Sequence, residues 1–144
     1  MRGQSSLELL VTVGVVLAFT IPVLFLILSI SSVGYEDTAK AQADASARTL
    51  ADAMDSVYAQ GAGAQREVLL NAPPSTKGIY ASKEDVGGEV VVDIQTSGGG
   101  FEAVSPTIAK ISSGSQRIED KGGLFRVIVQ TNSKGEVELI DPNP

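Results

Sequence analysis

The chain has 144 residues, of which 43% are hydrophobic, and its 11 basic and 17 acidic residues give a formal net charge of −6. It contains no Cys, His or Trp. Disulfide frameworks, metal sites built on His or Cys, and catalysis by a His or Cys side chain are therefore excluded. The acidic balance argues against a nucleic-acid partner, because contacts with phosphates require a basic surface. We expect no catalytic residues, no cofactor and no metal ion.

The charges are unevenly distributed along the chain. Within residues 1–33 only Arg2 and Glu8 are charged, and the rest of the chain carries the whole net charge of −6. The run Leu9–Ile30 contains no charge, and its 22 residues span roughly 33 Å at about 1.5 Å per residue. Since a hydrocarbon core is about 30 Å thick, this run predicts a membrane-spanning helix. The basic residue before it and the acidic residues after it place the N-terminus in the cytoplasm.

A second helical segment follows the apolar run. Residues 35–60 contain no Gly or Pro, and their apolar side chains recur at steps of three and four residues, which predicts an amphipathic helix ending at Gly61. The stripe consists of Ala43, Ala47, Leu50, Met54 and Val57. Whether this helix continues from the first stays open, because Ser and Gly at 29–34 are mediocre helix formers. Pro22 is expected to kink or locally open the first segment, since it cannot donate to the carbonyl of Ala18.

From residue 66 onward the pattern favours short strands. The alternation at 90–95 is typical of a half-buried strand, and 132–135 reads as a four-residue hairpin loop with Gly135 at a positive φ. Strands are expected at 67–70, 78–82, 90–95, 101–104, 107–111, 124–131 and 136–140, with turns at 73–74, 87–88, 98–100, 112–115 and 122–123. The expected fold class is α+β: a long N-terminal hydrophobic helix, a membrane span continuing into an amphipathic helix, followed by a small antiparallel β-sandwich-like head. We expect the stripe of the second helix to pack on one face of the sheet.

The N-terminal residues carry the main functional signal. Arg2 and Gly3 precede the polar residue Gln4, and a single carboxylate, Glu8, stands at the start of the apolar run. A carboxylate within a span costs about 2.5–3.5 kcal/mol at mid-bilayer and less near the edge. Glu8 can therefore be a solvated carboxylate at the membrane interface, or a residue kept for assembly.

This arrangement resembles the N-terminus of a type IV pilin precursor, and the Gly-Gln junction is similar to the archaeal class III signal peptide. The resemblance implies cleavage between Gly3 and Gln4 by a prepilin-peptidase-like enzyme. Glu8 then becomes the fifth residue of the mature chain, the position that the family reserves for Glu, and Pro22 lies where many pilins carry a helix-breaking Pro. Bacterial pilins usually begin with Phe and contain a disulfide, whereas archaellins lack this early Glu, so both contrasts favour an archaeal, non-motor pilin.

The resemblance also implies an organisation and a set of partners. The expected segments are a leader peptide at 1–3, a transmembrane and filament-core helix at 4–33, an amphipathic helix and hinge at 34–64, and a β-rich extracellular head at 65–144. Gln4, Glu8 and Pro22 are the expected assembly residues. The implied partners are identical subunits in a helical filament, the processing enzyme, a pilus assembly platform with its ATPase, and the membrane before assembly. The chain would be a single-pass membrane protein first and a cell-surface filament subunit afterwards, probing surfaces for adhesion.

Two other functions fit the same sequence. In one, the span is only an anchor, and the head is a monomeric extracellular binding module. In the other, the chain is a minor pseudopilin of a secretion or uptake machine, which would share the same N-terminus. Mass spectrometry of the mature chain separates the anchor from both pilin functions, because only a pilin would begin at Gln4.

Overall fold

The computed structural model describes residues 2–143, with side chains described at 6–30 and 33–143. Within this range the fold is α+β, as expected, with one helix followed by strands that form two antiparallel sheets. The helix α1 comprises Arg2–Gln60 and is uninterrupted through residues 29–35. The strands are β1 (Gln65–Ala72), β2 (Thr76–Lys83), β3 (Gly88–Thr96), β4 (Gly99–Thr107), β5 (Ile118–Glu119), β6 (Gly123–Thr131) and β7 (Val137–Ile140). By its internal contacts the chain divides into two compact units, Met1–Glu36 and Asp37–Pro144.

Within the second unit, α1 buries the apolar stripe that its period predicts. The five stripe residues are each at most 1% exposed, which confirms the predicted amphipathic helix. Gly61 and Gly63, at φ 88° and 86°, then reverse the chain into β1. A residue with a positive φ directly after a helix lets backbone N–H groups reach the last carbonyl groups of that helix. Here the Gly61 N–H donates to the carbonyl of Tyr58 at 3.2 Å.

One sheet has three strands in the order β1-β6-β7. Its strands alternate buried and exposed side chains, with Val68 opposite Val127 and Val129 opposite Leu139 on the buried face. The hairpin between β6 and β7 has the predicted loop: Gly135 has φ 78°, and the Asn132 carboxamide oxygen accepts from the backbone N–H groups of Lys134 and Glu136. These contacts set the register of the hairpin.

The other sheet has four strands in the order β4-β3-β2-β5. Its central strand β3 is apolar on both faces, because Val91 is buried on the face opposite Val90, Val92 and Ile94. Strand β5, with two residues, pairs with β2 and is too short to show a period in the sequence. Buried apolar residues of α1 and of both sheets form one cluster, so the stripe does pack on the strands as expected. Its largest members are Leu50, Met54, Leu70, Ile79, Ile94, Ile118 and Leu139.

The predicted strand at 107–111 is wrong. Strand β4 ends at Thr107, and Ile111 forms only an isolated parallel bridge with Val137. The alternation that suggested a strand is present, since every second residue from 105 to 111 is buried. The segment nevertheless leaves β3, because the Asp55 carboxylate of α1 accepts from the Ile108 N–H at 2.9 Å and turns the chain away.

The predicted turn at 98–100 also needs correction. Gly99 and Gly100 belong to β4, and the turn consists of Ser97 and Gly98 alone. Thr96 stands opposite Gly99 in the ladder, and the Thr96 hydroxyl donates to the Gly99 carbonyl at 2.7 Å. A loop of two residues therefore closes the hairpin between β3 and β4.

Candidate assembly surface

The surface that bears on function is the apolar part of α1 in the first unit. From residue 7 to residue 30 its large apolar side chains are between 48% and 73% exposed, and they point to all sides of the helix. By length and composition this helix is apolar enough to cross a membrane, judged from Ser6 onward. An apolar surface of this extent is not stable in water and requires lipid or other protein around it.

The hydroxyl groups of the apolar run are all satisfied within the helix. Thr12 donates to the carbonyl of Glu8 at 2.8 Å, Thr20 to that of Val16 at 2.8 Å, and Ser29 to that of Phe25 at 2.9 Å. A hydroxyl buried without a partner costs free energy, whereas a bond to the carbonyl four residues earlier removes that cost. Thr12, Thr20 and Ser29 can therefore lie in apolar surroundings without an unsatisfied hydroxyl group.

Pro22 lies inside α1, which continues past it. Because proline has no N–H, the carbonyl of Ala18 lacks the backbone donor that a carbonyl inside an α-helix normally has. The kink or opening expected here stays a prediction.

Glu8 is exposed at the start of the apolar run. Among the described side chains none is ion-paired with its carboxylate, and the neighbouring Leu7, Leu9 and Leu10 are 69%, 67% and 72% exposed. A carboxylate in such apolar surroundings is costly unless a cation meets it. The folded chain therefore presents an acceptor that a cation from outside the described residues can use.

The two predicted processing residues are only partly visible. The backbone at Gly3 and Gln4 belongs to α1, but the surroundings of Gly3 and the side chain of Gln4 lie outside what the structure describes. Their predicted role in cleavage stays a prediction, as do the assembly roles of Gln4, Glu8 and Pro22.

The head contains acidic groups that serve its own structure. The Glu138 carboxylate accepts from Asn132 at 3.1 Å and from Ser112 at 2.9 Å, and these hydrogen bonds lower its pKa from the ordinary 4.5. Burial raises the pKa of Asp141, but bonds from Lys121 and from the Asn143 N–H outweigh it, so the net pKa lies below 3.8. Sequence reasoning missed both networks, because each includes one member more than fifteen residues away, Ser112 for Glu138 and Lys121 for Asp141.

Glu119 and Asp120, an acidic doublet at β5, each have a basic partner. Glu119 contacts Arg117 at 3.4 Å, and Asp120 contacts Lys77 at 3.6 Å. Within residues 2–143 no group of three or more acidic side chains is arranged to hold an ion. These carboxylates form surface ion pairs that contribute little to stability.

Comparison with known proteins adds no relative. No protein-family model matches this chain, and no curated protein or solved structure is significantly similar to it. The resemblance to type IV pilins, drawn from the residues Arg2 to about Val33, therefore stays an expectation.

Proposed function

We propose that this chain is a pilin, the structural subunit of an archaeal type IV pilus-like surface filament that serves adhesion. It assembles through its N-terminal hydrophobic helix and performs no catalysis. The observation that carries the proposal is the apolar part of α1, which is exposed on every side, has satisfied hydroxyls and begins with a carboxylate, Glu8, that no described side chain pairs. A plain membrane anchor also explains the apolar side chains, and it leaves Glu8 as a solvated carboxylate at the membrane interface.

The physical argument for assembly concerns what surrounds this helix. While the subunit is in the membrane, lipid covers residues 9–30, and the acidic head lies outside. When the subunit leaves the membrane, the same side chains need new apolar surroundings, which a bundle of identical helices supplies. Such a bundle requires a heterologous interface that repeats without closing, and it yields a filament.

Processing precedes assembly in this proposal. A prepilin-peptidase-like enzyme cleaves between Gly3 and Gln4 and leaves an α-amino group, whose ordinary pKa is about 7.7–8.0. Glu8 of a neighbouring subunit, displaced by about one helical turn, accepts this cation and sets the axial register. A pilus assembly platform and its ATPase then extract the subunit from the membrane.

The head is proposed to be a β-sandwich-like domain that coats the filament. The inward-facing residues of both sheets belong to one buried cluster, and the stripe of α1 completes it. Inward polar groups such as Ser46 and Thr131 are hydrogen-bonded to backbone carbonyls, which fits a closed core. The outer faces, which carry the charges, meet solvent and other cells.

The mass of the purified mature chain tests the proposal. A chain that begins at Gln4 supports a pilin function, whereas an intact chain, or one cut beyond residue 30, supports the anchored binding module. Electron microscopy of sheared surface material then separates the two pilin functions. A major pilin forms most of the filament mass, and a minor pseudopilin is present in few copies.

A further inference from the structure

We infer that a hollow at one end of the head binds a neutral sugar residue through its hydroxyl groups. The hollow lies between the last residues of β2 and the start of β7, one strand from each sheet, and its volume is about 280 Å³. The inference rests on the adhesion part of the proposed function and names the class of ligand. It holds for a pilin and for an anchored binding module alike.

One wall of the hollow is a turn, residues 112–115, that hydrogen bonds hold in place. The Ser112 N–H donates to the Val137 carbonyl at 2.9 Å, and the Ser115 N–H donates to the Ser112 carbonyl at 3.1 Å. The Ser115 hydroxyl oxygen also accepts from the Leu139 N–H at 3.1 Å. A wall fixed in this way does not have to be ordered when a ligand arrives, so less free energy is lost on binding.

The innermost lining of the hollow is apolar. Ile111 is 2% exposed, and it is packed so closely that a Cβ at Gly88 would lie 2.4 Å from its side chain. Ala81, on β2, is small and leaves the space beside Ile111 open. Ligand sites usually combine such an apolar lining with a few polar groups that fix the orientation of the ligand. The apolar C–H groups of a sugar ring suit this part of the hollow.

Two opposite charges line the hollow without forming an ion pair. Lys83, at the end of β2, is exposed, and Glu136, just before β7, is half-buried. Neither has an ion-pair partner among the described side chains. One oxygen of Glu136 accepts from the Asn132 carboxamide at 3.5 Å, and no described group donates to the other side-chain oxygen. The hollow thus offers a ligand a donor on the side of β2 and an acceptor on the side of β7.

The serine hydroxyls of the turn add groups that can donate and accept. The Ser112 hydroxyl is occupied, because it donates to Glu138 at 2.9 Å and accepts from the Gly114 N–H at 3.2 Å. The Ser115 hydroxyl only accepts, so its proton is available to a ligand. The exposed Ser113 hydroxyl has no hydrogen-bond partner among the described residues. Since each hydroxyl has one donor and two acceptor sites, these two serines can bind hydroxyl groups of a ligand.

A neutral sugar is the ligand that these groups favour. An anion would be repelled by the Glu136 carboxylate, and a cation would be repelled by the Lys83 ammonium group. A free amino acid would meet both charges, but both are in contact with water, where ion pairs contribute little. A sugar hydroxyl both donates and accepts, so one hydroxyl can accept from Lys83 while its neighbour donates to Glu136. The ring then lies against Ile111.

Titration of the full chain with methyl glycosides tests this site. The ¹⁵N-labelled chain is prepared in a polyoxyethylene detergent, because a maltoside or glucoside detergent would itself present sugars to the hollow. The probes are the methyl glycosides of glucose, galactose and mannose, and the reporters are the backbone amides of residues 112–115 in NMR spectra. At least one glycoside should shift these amide signals in a saturable way and leave those of β1 unchanged.

Two substitutions test the groups that are inferred to bind the hydroxyls. Lys83→Met and Glu136→Gln should each weaken the binding about tenfold, because each removes a hydrogen bond to a charged group. Neither side chain belongs to the buried cluster, so both variants should keep the fold. Glu84→Gln is the matched control, since Glu84 is exposed beside Lys83 but does not line the hollow. It should bind as the unmodified chain does.

Absence of a saturable shift with all three glycosides overturns the inference, and so does unchanged affinity in both variants. Shifts of the same amides by L-alanine in place of the glycosides would overturn it too, and would assign the hollow to a zwitterion. The outcome is separable from that of the filament proposal. A processed chain that binds no glycoside loses only this inference, whereas an unprocessed chain that binds one loses only the filament.

Discussion

Residues 6–30 and residues 37–60 belong to the same helix, yet they differ in where their apolar side chains go. The later part buries one narrow stripe against the strands of the head and exposes charged residues on its other sides. The earlier part exposes large apolar side chains on every side. The later part is therefore completed by its own chain. The earlier part is completed only by something outside the chain, and we propose lipid first and identical helices afterwards.

The largest expected effect separates processing from helix packing. Gly3→Val should leave full-length precursor in the membrane and abolish filaments, because a protease needs close access to the backbone beside the cleaved bond and a side chain obstructs it. Gly14→Val is the matched control, since a Cβ at Gly14 meets nothing within 4 Å in the folded chain. Mass spectrometry should show cleavage of the control and none of Gly3→Val. Normal maturation of Gly3→Val would refute the proposed cleavage site.

The second prediction compares one residue type in the two parts of α1. Leu50 is 0% exposed, and Leu24 is 54% exposed. Leu50→Ala should lower the free energy of unfolding of the head by about 2–5 kcal/mol, through lost burial and a cavity. Leu24→Ala should leave it unchanged, because the Leu24 side chain is more than half exposed and does not belong to the buried cluster of the head. Thermal unfolding of both variants in detergent checks this. An equal loss of stability in both variants would show that the two parts of α1 do not differ in their contribution to the head.

The parts of this structure that the sequence predicts are those whose interacting residues are near each other in the chain. The stripe from Ala43 to Val57 and the loop at 132–135 follow from local periods and turn residues, and the structure confirms both. The segment 107–111 was mispredicted because alternation reports which side chains are buried and not which strand lies alongside. Its partner Val137 is distant in sequence, and so is Ser112, one of the hydrogen-bond partners of Glu138.

The candidate site was easier to name than to test. Gly3, Gln4 and Glu8 form a local motif, which the sequence displays directly. What meets Glu8 is, in our proposal, another chain. Neither the sequence nor the fold of one subunit contains that contact.

The third prediction concerns the single carboxylate of the apolar part. Glu8→Leu should be processed and inserted normally, but its ratio of filament subunit to membrane-pool subunit should fall about tenfold, equivalent to about 1.4 kcal/mol. The cause is the loss of a partner for the new α-amino group in apolar surroundings. Glu84→Leu, at an exposed loop of the head, is the control and should keep the ratio of the unmodified chain. An unchanged ratio for Glu8→Leu would leave Glu8 as an interfacial carboxylate.

The smallest effect is a dependence of head stability on pH. The pKa of Glu138 is lowered from 4.5 by the bonds from Asn132 and Ser112, and that of Asp141 lies below 3.8. A lowered pKa in the folded state stabilises the fold at neutral pH, and this contribution is lost as the pH falls through the folded-state pKa. When unfolding temperatures are measured from about pH 7 to about pH 3, they should decline once the pH falls below the ordinary pKa values of these two carboxyl groups. Glu138→Gln should decline less steeply, and an identical slope would show that this network does not stabilise the fold.

The most direct test of the central claim is electron cryo-microscopy of filaments sheared from cells that produce this chain. Our proposal predicts a filament whose centre is a bundle of apolar helices beginning at Gln4, surrounded by heads. In that map the carboxylate of Glu8 should lie beside the N-terminal amine of a neighbouring subunit. Sheared material without this chain, with the intact chain recovered only from the membrane, would contradict the proposal and leave residues 6–30 as an anchor.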